Sequence, residues 1–191
     1  MKNKNEMLNL LKDEYLKTTS SYKGDTGEIL AILHFEKIEQ GFIHVHQESW
    51  SYPPTMKNQN AKRPGFYMLP MHNEIVAIDV KHYELNENMD FTLSSADILG
   101  YVQLQLYLMK SHNKDPEEFD DIKIKFFVIP LQLNGEAYAE ITFEEMVKNM
   151  ITEEKKIPGE ITFSNTFSKV SIKERLIVLG TKSEAYKVQS S

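Results

Sequence analysis

The segment Ile75-Val-Ala-Ile-Asp-Val-Lys81 constrains the fold more than any other stretch of this chain. Its β-branched and apolar residues read as a strand. A period of two sets Ile75, Ala77, Asp79 and Lys81 on one face and Val76, Ile78 and Val80 on the other. An otherwise apolar strand therefore ends in a carboxylate and an ammonium side by side. Residues 66–69 form a second strand, joined to the first across Pro70-Met-His-Asn73, so the two are expected to make a hairpin.

Around this hairpin, helical and extended signals alternate. Met7, Leu8, Leu10, Leu11, Tyr15 and Leu16 recur at helical spacing and predict an amphipathic helix over residues 5–20 that packs on the domain. Ser20, Ser21 and Gly24 break it. Asp25-Thr-Gly-Glu28 then resembles a capping box opening a buried, apolar helix over residues 29–38 that stops at Gly41. Residues 42–46 are a short strand, and residues 49–64, with three prolines, are a loop. Ser94 or Ser95 caps a helix running to about Lys110. An acidic linker over 115–121 leads to a strand over 122–129, ended by Pro130, and Thr142-Phe-Glu-Glu145 is a second capping box opening a short helix. Further strands are expected at 160–163 and near 175–179. The order helix, strand, hairpin, helix, strand, helix predicts an α/β or α+β domain with a small mixed sheet.

With 191 residues, 41% of them hydrophobic, the chain can build one full core, so residues 1–191 are expected to form a single domain. No apolar run is long enough to span a bilayer and the amino terminus lacks a signal-peptide core, which predicts a soluble, cytoplasmic protein without a membrane partner. The absence of cysteine excludes disulfides, thiolate metal sites and a cysteine nucleophile. Any metal must then be held by carboxylate, imidazole or carbonyl groups, and oxygen ligands favour a hard ion such as magnesium. A net charge of −6 argues against broad attraction to phosphate backbones while leaving room for a local basic cleft. Lys57, Lys62, Arg63, Lys123 and Lys125 are the local clusters, which read equally as ordinary solvated charges.

Asp79-Val-Lys81 carries the chemistry. A carboxylate and a lysine at i and i+2 of a strand project toward one site, where a metal-bound carboxylate beside a lysine can orient water and stabilise charge on a phosphate. The segment Ile75-Val-Ala-Ile-Asp-Val-Lys-His-Tyr83, the upstream Gly27-Glu28 helix, and Gln103 and Tyr107 four residues apart on one helix face resemble the PD-(D/E)XK nuclease superfamily. The Q-x-x-x-Y spacing is closest to its recombination and CRISPR-adaptation branch. The resemblance covers roughly residues 24–130 and leaves 131–191 as a C-terminal extension. It implies a restriction-endonuclease-like core and metal-dependent hydrolysis of DNA. Glu28 and Asp79 would hold magnesium or manganese, Lys81 would assist water or phosphate, and Gln103 and Tyr107 would position the strand. Each piece also has a structural reading: Glu28 as the reciprocal partner of Asp25 in a capping box, and Gln103 and Tyr107 as the polar edge of an amphipathic helix whose Leu99, Val102, Leu106 and Met109 fill the core.

One departure from the family stands out. Its members place an aspartate at the start of the hairpin's first strand, and this chain has Gly65 there. Two readings follow: a nuclease in which Glu28 or a histidine takes over the missing ligand, or a catalytically degenerate module that binds nucleic acid or a protein partner without cleavage. Among the histidines, His44 and His46 share a strand face in ligand-like geometry, His72 falls in the hairpin turn, and His82 points opposite to Lys81. Trp50 and Tyr52 read either as stacking platforms for a base or as loop anchors.

Overall fold

A computed structural model describes residues 23–45, 47, 51–69, 74–115, 121–157 and 161–181. The helix expected over 5–20, His46, Trp50, His72 and the hairpin turn at 70–73 lie outside the described residues. The elements in chain order are α1 (Lys23–Lys37), β1 (Phe42–His44), α2 (Pro54–Asn58), β2 (Phe66–Met68), β3 (Ile75–Tyr83), β4 (Asp90–Ser94) and α3 (Ser95–Ser111). They are followed by β5 (Ile122–Pro130), β6 (Ala137–Thr142), α4 (Phe143–Lys148), β7 (Met150–Ile157), β8 (Ile161–Ser171) and β9 (Ile177–Val178). This is an α+β fold: a six-stranded mixed sheet in the order β1-β2-β3-β5-β6-β9, flanked by helices, and a three-stranded sheet in the order β4-β8-β7.

The parallel pair β3–β5 is the spine, in register from Ile75↔Ile122 to Tyr83↔Pro130. Parallel neighbours need a crossover, and α3 supplies it. Its start is fixed by Ser94, whose hydroxyl accepts from the Asp97 amide at 3.1 Å. Tyr101, Leu104 and Leu108 then recur at helical spacing and pack with Ala77, Ile124, Phe126 and Val128 in the larger of two apolar clusters. β5 alternates over its first residues and is buried on both faces from Phe126 onward, as expected for a strand covered by helices on both sides.

The opposite face of the sheet carries the second cluster, in which Ala31 and Phe35 of α1 meet Phe66, Ile78, Phe127, Ile129 and Tyr138. β3 thus splits as its alternation requires, with Ile75 and Ala77 facing α3 and Val76, Ile78 and Val80 facing α1. α1 begins at Lys23, earlier than the sequence suggested, so Glu28 lies in its second turn and is no capping partner. The helix is buried along a stripe and not all round: Leu30 and Ile32 are half-buried. Gly27 lets α1 approach closely, because a Cβ there would lie 2.5 Å from that of His82.

Several strands were not expected from sequence. β4 occupies what read as the end of a polar loop, β6 extends the main sheet beyond β5, and β7 and β8 form a long hairpin. The expected loop over 49–64 contains α2, and of the strand expected at 160–163 the described residues 161–163 begin the longer β8. Among the described residues no helix is long and apolar enough to cross a membrane.

His34 is buried in α1 between Phe127 and Tyr138, and its Nδ1 accepts the Gly180 amide at 2.8 Å. Burial pushes its imidazole down to about 4, outweighing the attraction of Glu140. The folded state therefore holds His34 neutral while the unfolded chain takes up a proton near 6.5. Between these values the unfolded state binds more protons, so this contribution is complete above pH 6.5 and is lost as pH falls toward about 4. Urea unfolding at stepped pH should show the stability advantage of the native chain over His34→Gln shrinking across that window, by no more than about 1.4 kcal/mol per pH unit, the limit for one proton.

Candidate functional site

Asp79 and Lys81 leave β3 on the face covered by α3. The Lys81 ammonium is 3.2 Å from Asp79 Oδ2. The same oxygen accepts a hydrogen bond from the Tyr101 hydroxyl of α3, and the ammonium lies 5.8 Å from the Tyr101 ring centroid, within cation–π reach. Tyr101 is fully buried. Burial first, and then the neighbouring Asp79 charge, push its hydroxyl far above the usual phenol range, so it acts as a permanent donor. Asp79 retains only 15% of its side-chain exposure, so its charge depends on these two partners.

Glu28 approaches from α1. Its Oε2 is 2.9 Å from His44 Nε2 on β1, and the His44 ring stacks on Phe66 at 4.9 Å. Its Oε1 faces Gly65: a Cβ at Gly65 would sit 3.4 Å from it, an ordinary van der Waals distance. Gly65 is where three strands meet, since its amide donates to Ile78 at 2.9 Å and its carbonyl accepts from Val45 at 2.8 Å. Its φ is not in the left-handed region, so the backbone does not demand glycine. Gly65 thus lies beside Glu28 and hydrogen-bonds to the residue preceding Asp79.

The structure brings Asp79 to Lys81, and Glu28 to Gly65 and His44. Gln103 and Tyr107 share a face of α3, as their spacing implies, but that face lines a groove of about 390 Å³ with Thr55, Gln59, Leu106 and Lys110. Asp79, Lys81 and Glu28 do not line it. Of the residues expected to fill the core, Met109 is buried, whereas Leu99 and Leu106 are exposed. Among the described residues no three His, Asp or Glu side chains are grouped closely enough to hold a metal ion. A concavity of about 910 Å³ lies elsewhere, between α1 and the sheet at His34, Val76 and Glu140.

Lys62, Arg63, Lys123 and Lys125 of the basic clusters are engaged within the fold. Lys62 is 2.6 Å from Asp97, Lys123 is 2.6 Å from Glu74 and Lys125 is 3.1 Å from Glu140. Arg63 bonds Ser51 at 3.0 Å and lies over the Tyr52 ring at 4.9 Å, and the Tyr52 hydroxyl donates to the Ala61 carbonyl, so Tyr52 anchors its loop. His82 bonds the Ile129 carbonyl through Nδ1 at 2.9 Å, on the face away from Lys81. Burial raises and the hydrogen bonds of Lys62 and Ser94 lower the Asp97 carboxyl, with the net result below its ordinary value.

Tyr101 was missed in the sequence. Its signal was the stripe Tyr101, Leu104, Leu108, which marks the helix face that meets the sheet and carries a polar tip at one end. No family model, no curated protein and no solved structure matches the chain.

Replacing Tyr101 by Phe removes a donor from a largely buried carboxylate oxygen and leaves the ring. The variant should unfold at lower denaturant, with a loss of about 1–3 kcal/mol. Equal midpoints for the two proteins would show that Lys81 alone suffices to hold the Asp79 charge.

Proposed function

We propose that this chain is a PD-(D/E)XK-like domain whose hydrolytic site is disarmed, and that it works as a binding module for nucleic acid at the Asp79–Lys81 face. The observation that carries the reading is the neighbourhood of Glu28: its carboxylate points at Gly65, the position at which the resembled family has its second acidic ligand. The mixed sheet with a helix on each face, and the Asp79–Lys81 pair at 3.2 Å, support the resemblance independently of that position.

The remaining acidic groups are engaged by side chains rather than left open to a cation. Asp79 is held by Tyr101 and Lys81, and Glu28 by His44. Magnesium is usually bound by one or two carboxylates plus water and substrate phosphate. A single carboxylate already paired to lysine competes poorly for it. Lys81, with a quarter of its side chain exposed, keeps the capacity to meet a phosphate.

A second reading has one observation in its favour. His44 occupies the side of Glu28 away from Gly65, so a deprotonated imidazole and a carboxylate 2.9 Å apart could share one ion in place of a proton. Such a site would take manganese more readily than magnesium, because imidazole suits transition metals. The domain would then be a metal-dependent nuclease with a histidine in place of the aspartate.

Gly65→Asp separates the two readings. A Cβ at position 65 meets nothing closer than Glu28 Oε1 at 3.4 Å, so the new side chain starts beside Glu28. The unmodified chain should show no cleavage of single- or double-stranded DNA and no thermal shift with millimolar magnesium or manganese. Gly65→Asp should gain metal-dependent stabilisation, about 2.7 kcal/mol at a hundredfold excess over the dissociation constant. It should also gain cleavage, which adding Lys81→Ala abolishes. Manganese-dependent cleavage by the unmodified chain, lost in His44→Ala, would instead establish the nuclease reading.

A further inference from the structure

The concavity of about 910 Å³ lies at the carboxyl-terminal end of α1, on the sheet face opposite to Asp79 and Lys81. Met68, Val76 and Ile78 line it from the sheet, and Phe35 and Ile38 from the helix and the turn that follows. Its size is that of a pocket for a small molecule, and its walls are largely apolar, as such pockets usually are.

Two polar tips open onto it. His34 and Tyr138 are only 2% and 3% exposed, with ring centroids 4.5 Å apart, and both line the cavity. The Gly180 amide occupies His34 Nδ1, which fixes the proton of the neutral imidazole on Nε2. Neither that N–H nor the Tyr138 hydroxyl has a hydrogen-bond partner among the described residues. Every fully enclosed side-chain polar atom among those residues does have one. These two tips are therefore reached from outside, and the cavity is the space they share. Burial first, and then Glu140, push the Tyr138 phenol up to about 12, so it keeps its proton as a donor.

The surroundings select the charge of what these donors would meet. Glu140 follows Tyr138 on the same face of β6, and its charge favours the protonated form of both rings. The last-turn carbonyls of α1 add partial negative charge at this end of the helix. Both disfavour an anionic head group. A cation fares no better at the floor, where His34 presents an N–H and no lone pair. The carboxylates around the cavity have lysines of their own: Glu74 with Lys123 at 2.6 Å, Asp121 with Lys114 at 2.7 Å and Glu140 with Lys125 at 3.1 Å. What remains is a neutral acceptor. A carbonyl oxygen, with two lone pairs, has room for two donors.

We infer that this cavity is a binding site for a neutral, largely apolar small molecule, held by a carbonyl group that accepts from His34 Nε2 and the Tyr138 hydroxyl. The site does not depend on the nucleic-acid reading, because it shares no residue with the Asp79–Lys81 face.

The neutral naphthyl ketone prodan, whose fluorescence responds both to apolar surroundings and to donors at its carbonyl, tests this on the full chain. The native protein should bind it saturably, one molecule per chain. Tyr138→Phe should weaken binding about fivefold, the worth of one hydrogen bond, and move the bound emission to shorter wavelength. The hydroxyl bonds nothing in the chain, so this variant should keep the native unfolding midpoint and its effect reads the ligand alone. Val76→Trp fills the cavity from β3 and should weaken binding at least tenfold. Naphthyl methyl ketone should displace prodan, whereas naphthoate, of the same size but anionic, should need at least tenfold more. Absence of saturable binding up to the solubility of prodan overturns the proposal. So does a Tyr138→Phe variant with native affinity or a lowered unfolding midpoint, a Val76→Trp variant that binds as the native chain does, or naphthoate that competes as well as the ketone.

Discussion

Everything in this fold is hung on the parallel ladder between β3 and β5. Nine consecutive residue pairs from Ile75↔Ile122 to Tyr83↔Pro130 fix the register, and a one-residue slip would turn Asp79 and Lys81 toward α1 and Val80 toward α3. Parallel pairing also dictates that the connection between the strands cross one face, which is why α3 lies where its tyrosine can reach Asp79. The two apolar clusters on either side of the ladder, one built on Tyr101 and Phe126 and the other on Phe35 and Phe127, hold it from both faces. Within such a spine a carboxylate is tolerated only where partners are supplied. Tyr101 gives a neutral donor and Lys81 a cation, and loss of either leaves a charge in a poorly hydrated place.

The same requirement explains the region around Glu28. Gly27 brings α1 close against β3 at Val80 and His82, and this delivers the next residue, Glu28, to the junction of β1, β2 and β3. The carboxylate needs a partner there, and His44, itself stacked on Phe66, supplies one at 2.9 Å. Glu28 and Asp79 are each engaged by the chain's own side chains, Glu28 by His44 and Asp79 by Tyr101 and Lys81. That solution keeps the fold intact without a ligand, and it means that any metal must displace an existing partner before it gains a new one.

What could be read from the sequence was what local physics determines. The alternation of β3, the Ser94 and Thr142 caps and the helix over α3 are set within a few residues, and each is present with its expected hydrogen bond or burial. β4, β6 and β7 are defined by partners far along the chain. Asp90 of β4 finds Ser171, and the Thr-Glu-Glu-Lys-Lys run of β7 has too little apolar character to announce a strand without β8. At the site, Asp79 beside Lys81 followed from a period of two. The choice between Tyr101 and the Gln103–Tyr107 pair did not, because spacing says which residues share a helix face and not which face meets the sheet. The partner of Glu28 was hidden for a related reason: His44 is sixteen positions away and reaches it only through the β1–β2 pairing.

The sheet edges are treated unequally, and the difference has a physical sense. The six-stranded sheet ends in β1 and β9, strands of three and two residues that offer too short a row of unpaired backbone groups to template another chain. β7 is an eight-residue edge with no strand neighbour among the described residues, and its sequence Thr-Glu-Glu-Lys-Lys is charged, which keeps an open row of backbone groups from templating another chain.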